Sequence, residues 1–181
     1  RDAVFQVISI VTTTGFFTAD FDLWPDILRG LLLFFMSVGA CAGSTSGGLK
    51  IVRLVLTAKI GIQSVTKAIF PNAVVPVRFN RATVSEKVAL SILTYFSLCV
   101  FLILLGTLLL IIFDSTDILT AVSSAVSAIS SVGPGLAKTG PVLNYGWMSV
   151  PSKWVLIFLM IAGRLELYAV LILFSPATWK K

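Results

Sequence analysis

The chain has 181 residues, of which 57% are hydrophobic and 12% charged, with a net charge of +6 and a mean hydropathy of +0.99. That balance excludes an ordinary soluble domain and places the chain in the membrane class. In a soluble protein the positive charge would point to nucleic acid; here the cations cluster beside apolar spans, where topology explains them. The absence of histidine removes the commonest general base and metal ligand, and Cys41 and Cys99 show neither zinc-like spacing nor a disulfide framework.

The chain opens Arg1-Asp2-Ala3, with no initiator methionine and no signal-peptide cleavage pattern, and reads as the inside of something longer. Apolar residues at Val4, Phe5, Val7, Ile8 and Val11 have helical spacing, but the segment is about 11 residues long where a span needs roughly 20. A short re-entrant helix and a truncated spanning helix are both open readings. Val11-Thr-Thr-Thr-Gly-Phe16 follows, polar and ending at a glycine between two apolar segments. Non-helical backbone at membrane depth must be buried in protein or line a water-filled path, and a row of carbonyl oxygens facing an axis is what a dehydrating cation needs. Branching at the three threonines keeps the backbone extended, and Gly15 can adopt the angles that turn carbonyls inward.

Trp24 and Pro25 stand where an interfacial anchor and a helix first turn would sit, and Ile27 to Val38 is apolar again. Gly39-Ala-Cys-Ala-Gly-Ser-Thr-Ser-Gly-Gly48 then interrupts it before an apolar pattern resumes over Leu49 to Ile60. Interior glycines cost about 1 kcal/mol each relative to alanine, so the helix is expected to break here. Two enzymatic likenesses fail in this stretch. Leu49 separates Gly48 from Lys50, so the adjacent Gly-Lys-Ser/Thr of a phosphate-binding loop is missing, and Gly43-Ser-Thr-Ser-Gly47 offers a threonine nucleophile with no histidine to activate it.

Gly61 to Lys87 carries Lys67, Arg78, Arg81 and Lys87 against one acid, Glu86, and is expected to be cytoplasmic. Val88 to Phe113 is uncharged and long enough to span, returning the chain to the side of Asp114 and Asp117. Ile118 to Ser130 and Ser131-Val-Gly-Pro-Gly135 then repeat the opening pattern, with Gly133 118 residues after Gly15. Trp154 to Phe174 spans once more and ends in a basic tail. Arg164 and Glu166 lie at its middle, where an ionisable group costs about 2.5 to 3.5 kcal/mol on insertion scales and faces a pathway or a partner. Two residues apart, they point to different faces and do not satisfy each other.

Four pieces together, Val11-Thr-Thr-Thr-Gly-Phe16, Gly39 to Lys50, Val132-Gly-Pro-Gly135 and Gly163-Arg-Leu-Glu166, carry a resemblance over essentially the whole chain. It resembles the C-terminal part of a TrkH-type subunit of the Trk/Ktr/HKT potassium transporter superfamily. The resemblance implies an all-α integral membrane fold of four repeats, each with a transmembrane helix, a re-entrant pore helix, a filter loop and a second transmembrane helix. Residues 1–82 would be the third repeat without its first helix, and residues 83–181 the fourth. It implies potassium uptake, not enzyme chemistry, with K+ as the transported ion and no cofactor bound by this chain. Filter carbonyls would come from Thr13, Thr14, Gly15 and Phe16 and from Ser131, Val132, Gly133 and Pro134, with K+ held at Thr13 to Gly15 and Ser131 to Gly133. Gly39, Gly43, Ser44, Thr45, Ser46, Gly47, Gly48 and Lys50 would form a gate with Arg164 beside it. Ser46 stands where the family often has glycine, and Ser131 where asparagine is expected. The implied partners are membrane lipid, a second copy in a homodimer, a peripheral cytoplasmic nucleotide-binding ring and the first two repeats of the same protein, in the bacterial inner membrane. A non-conducting membrane scaffold or receptor half is the alternative, and it would have no need of two filter-like loops at matching positions.

Overall fold

The computed structural model describes residues 1–39, 47–71, 75–79, 82–165 and 167. Among the described residues, six α-helices make the body. Helix α1 (Asp2–Val11) ends in the first threonine-glycine loop, and a short turn at Phe21–Leu23 leads into α2 (Asp26–Ser37), with Pro25 as its N-cap. The helix break expected after Val38 is present. A two-residue strand, β1 (Val38–Gly39), pairs in parallel with β2 (Leu49–Lys50), which opens directly into α3 (Ile51–Ile69).

Helix α3 runs past Gly61 into the polar stretch and ends at Ile69. Lys67 in its last turn suits the negative end of the helix dipole. The side chains of Lys59 and Gln63 hold the carbonyls of Arg78 and Val75, and Leu56 and Ile60 are buried with Val77. The polar stretch is thereby docked on the helix and carries a small antiparallel hairpin, β3 (Arg78–Phe79) with β4 (Ala82–Thr83). The all-α expectation therefore holds apart from these two-residue strands.

Helix α4 (Glu86–Asp114) is capped by the Ser85 side chain and is the one helix among the described residues long and apolar enough to cross a membrane. At 29 residues it reaches about 43 Å. Its buried residues, Tyr95, Cys99, Gly106, Thr107 and Leu110, form one stripe, while Phe101, Leu104, Leu108 and Ile112 are exposed. Gly106 allows a close approach: a Cβ there would lie 2.6 Å from Leu159 Cδ1 on α6 (Val150–Arg164). Arg164 ends α6, and apart from Leu165 and Leu167 the remainder of the span expected to Phe174 lies outside the described residues, as does the basic tail.

Helix α5 (Ile118–Ser130) is at the centre. It packs against α4, α6 and α2, and every residue from Ser123 to Ser130 is buried. Only alanine, serine and isolated branched side chains fit such a position. In an apolar medium, close packing of small residues and hydroxyl hydrogen bonds replaces the hydrophobic drive that water would supply. Val126 joins Ile10, Phe21, Leu32 and Met36 in one core, so the first and second halves share an interior.

Candidate functional site

The two loops that end α1 and α5 begin alike, with the same two turn bonds. In the first, the N–H of Thr13 donates to the carbonyl of Ile10 at 3.0 Å and that of Thr14 to Ser9 at 2.9 Å. In the second, the N–H of Ser131 donates to Ala128 at 3.1 Å and that of Val132 to Ser127 at 3.0 Å. Each residue lies 118 positions from its counterpart. The extended backbone expected of the three threonines is not what forms: Thr12 is right-handed helical and Thr13, like Ser131, takes left-handed φ, at 55° and 57°, because both end a helix whose last carbonyls they cap, and Gly15 and Gly133 follow with φ of 76° and 109°. Two matched pairs of positive φ at one offset make the loops alike in backbone where side-chain identity is slight.

The loops also touch. A Cβ on Gly15 would collide with the carbonyl oxygen of Val132 and lie 3.2 Å from Pro134 Cδ, so glycine is required there by space as well as by φ. Behind each loop the preceding helix supplies the clamps. Ser9 Oγ donates to the Phe16 carbonyl at 2.6 Å and Gln6 Nε2 to Ala19 at 3.2 Å. On α5, Ser127 Oγ accepts from the N–H of Gly133 at 3.1 Å, Ser123 Oγ accepts from Leu136 at 3.0 Å, and Ser124 pairs with Thr139 at 2.9 Å. The hydroxyl of Tyr145 donates to the Gly133 carbonyl at 2.9 Å. At the start of α5, burial works against the charge of Asp117, yet bonds from the Thr120 hydroxyl and N–H outweigh it and hold the carboxyl below its ordinary value.

Three glycines converge on the end of α5. A Cβ on Gly163 would collide with the carbonyl oxygen of Ile129; one on Gly47 would lie 2.8 Å from the same atom, and one on Gly48 2.7 Å from Ser130 Oγ. The Tyr95 hydroxyl reaches the Gly48 carbonyl at 3.4 Å, and the Arg53 guanidinium sits 3.9 Å above the Tyr95 ring. The C-terminal end of the glycine-rich break is thus packed directly under the second loop. Ser131 and the exposed Arg164 line one open cavity of about 430 Å³ with Met160, Ile161 and Leu165. Gly39 pairs with Lys50 across the break. Gly43, Ser44, Thr45, Ser46 and Glu166 lie outside the described residues.

Sequence reasoning did not single out Ser9, Ser127, Tyr145 or Asp22. Ser9 and Ser127 were findable, since they share the 118-residue offset and stand four residues before the left-handed Thr13 and Ser131. Asp22 binds the N–H of Ala137 and the guanidinium of Arg29, contacts without any local signature.

Residues 1–181 match the family described as TrkH, cation transport protein. The chain is 39% identical over 184 residues to the Trk system potassium uptake protein TrkH of Halomonas elongata, covering all of this chain and 37% of that one. Its identity to the Trk system potassium uptake protein TrkH of Escherichia coli K12 is 36% over 181 residues, again over the whole chain and 37% of the relative. The crystal structure of the potassium transporter TrkH from Vibrio parahaemolyticus superposes with a TM-score of 0.88 at 36% identity, over 99% of this chain and 38% of that one. The chain thus spans somewhat more than a third of the length of these relatives, and it belongs to the TrkH family of cation transport proteins.

Proposed function

We propose that residues 1–82 and 83–181 are the third and fourth pore repeats of a potassium uptake protein, each contributing one loop to a carbonyl selectivity filter. The observation that carries this reading is the match of the two loops in their first two turn bonds and in their positive φ, together with their contact at Gly15 and Val132. Two adjacent backbone rings of this kind suit a dehydrated monovalent cation, since the ligands are neutral carbonyls and threonine hydroxyls, with no carboxylate or imidazole among the loop residues. Thr13, Thr14, Gly15 and Phe16 would face Ser131, Val132, Gly133 and Pro134 around the ion. The relatives' name as Trk potassium uptake proteins supports K+ as the transported ion.

Beneath the filter, the break from Gly39 to Gly48 would be the gate and Arg164 an electrostatic barrier, a role supported by the packing of Gly47 and Gly48 under Ser130 and by the cavity that Arg164 shares with Ser131. Ions would pass inward down their gradient. The working protein would be a homodimer in the bacterial inner membrane, completed by its first two repeats and regulated by a cytoplasmic nucleotide-binding ring on the basic face. Potassium flux into proteoliposomes containing the full-length protein tests the reading. Flux above that of empty vesicles supports it; a folded protein that carries none, with or without its regulator, overturns it.

A further inference from the structure

We propose that Tyr145 is a positioning residue for ion selectivity, its hydroxyl fixing the peptide plane of Gly133 in the second filter loop. This rests on the filter reading above. The two loops, otherwise equivalent, are braced differently from behind. In the first, the support comes from its own pore helix: Ser9 Oγ holds the Phe16 carbonyl. In the second, Ser127 Oγ is turned to the other role and accepts from the Gly133 N–H. The Gly133 carbonyl, counterpart of Gly15 and one residue before the position that Ser9 braces in the first loop, is taken by Tyr145, 12 residues downstream in the segment before α6, at 2.9 Å. The matching return segment before α2, residues 16–25, holds no tyrosine, so the brace belongs to the second loop alone of the two.

The tyrosine is itself held. Lys153 Nζ donates to the Gly146 carbonyl at 3.0 Å, Trp147 Nε1 to the Lys138 carbonyl at 3.2 Å, and the N–H of the buried Met148 to the Tyr145 carbonyl at 3.3 Å. Behind the loop lies a cavity of about 500 Å³ lined by Ser124, Ser127, Gly133, Tyr145 and Lys153 among others. The loop is not backed there by close-packed side chains, and the hydroxyl spans to it as a strut. A carbonyl has two lone pairs, so Gly133 can accept from Tyr145 with one and face an ion with the other. A smaller ion is bound well only if the carbonyls move inward, and a peptide tied from behind resists that movement. Release of the tie should therefore favour sodium over potassium more than it changes the speed of conduction.

The test uses full-length protein in proteoliposomes, with K+ and Na+ as the probe ions and Tyr145→Phe and Ser127→Ala as variants. Tyr145→Phe is expected to lower the potassium-to-sodium flux ratio about fivefold, equivalent to about 1 kcal/mol, and to raise the half-saturating K+ concentration, while maximal flux falls by less than the ratio. Ser127→Ala should move the ratio in the same direction. An unchanged ratio in Tyr145→Phe, or a fall in maximal flux with the ratio intact, overturns the assignment and leaves Tyr145 a structural brace. Should Tyr145→Phe fail to insert, the Ser127→Ala ratio decides by the same criterion. A wild-type protein that conducts no potassium overturns the filter reading and this assignment together, whereas a conducting wild type with an indifferent Tyr145→Phe overturns this one only.

Discussion

The Asp22 carboxylate accepts a hydrogen bond at 2.9 Å from the backbone N–H of Ala137, 115 residues further along the chain. Ala137 has a φ of 55°, a conformation disfavoured for alanine, so the bond holds a strained residue in place. The same oxygen accepts from Arg29 at 3.3 Å, and Gly140 has no room for a Cβ because the other Asp22 oxygen occupies the space. One carboxylate therefore ties the return segment of the second loop to that of the first.

Asp22→Ala should lower thermal stability in detergent by about 1–3 kcal/mol, since it leaves the Ala137 N–H without its acceptor and the Arg29 guanidinium with only its exposed pair to Asp26. Asp22→Asn keeps an acceptor oxygen and should lose less. Equal melting temperatures for wild type and Asp22→Ala would show that the tie carries no stability.

Gly15 and Gly30 make a contrasting pair. Gly15→Ala brings a disfavoured φ and a collision with Val132, and is expected to reduce potassium flux more than tenfold in protein that still inserts. Gly30 lies inside α2, and a Cβ there would meet nothing within 4 Å, so Gly30→Ala should stabilise by up to about 1 kcal/mol and leave flux unchanged. Uptake in a potassium-requiring strain, normalised to membrane expression, compares them; normal uptake by Gly15→Ala would remove the filter from this loop.

Arg164→Ala should raise flux. At an effective dielectric of about 20, a unit charge about 8 Å from the ion adds roughly 2 kcal/mol, enough to slow passage more than tenfold. Deleting several residues of the Gly39 to Gly48 break should also raise flux, and the double variant should gain less than the sum of the two if both act on one gate. Proteoliposome flux without any regulator measures this, and flux at or below wild type in both single variants, with folding intact, would end the gate assignment.

Sidedness follows from α4. Ser64 on α3 and Ser115 just beyond α4 lie on opposite ends of the long span, and both are exposed. Cysteines placed there, with Cys41 and Cys99 replaced, should label from opposite faces of the membrane. Labelling of both from one face would contradict a single crossing by α4.

Helix boundaries were most legible where polarity changes sharply: α5 runs from Ile118 to Ser130 as its small amphipathic pattern indicates, and the break after Val38 follows from its glycines. The likeness of the two loops was visible in spacing, although Thr13 and Ser131 take left-handed φ that neither side chain advertises. Helix α3 continuing to Ile69 was hidden, because its polar last turns are stabilised by docking the Val75 and Arg78 carbonyls onto Gln63 and Lys59, a contact between distant residues. Tyr145 was hidden for the same reason. A hydroxyl in a loop says nothing of the carbonyl it will reach, whereas Ser9 and Ser127 sit one helical turn from the loops they support.

The pairing of Val38 with Leu49 and of Gly39 with Lys50 brings the end of α2 and the start of α3 to one point. Such a joint works as a lap splice: load passing from α2 to α3 crosses the paired backbones and bypasses the chain between them. The spacing of the two helices is then set by the splice itself, whatever the length of the intervening segment. Displacement of α3 would therefore reach α2 through Leu49 and Lys50, the residues that open directly into that helix.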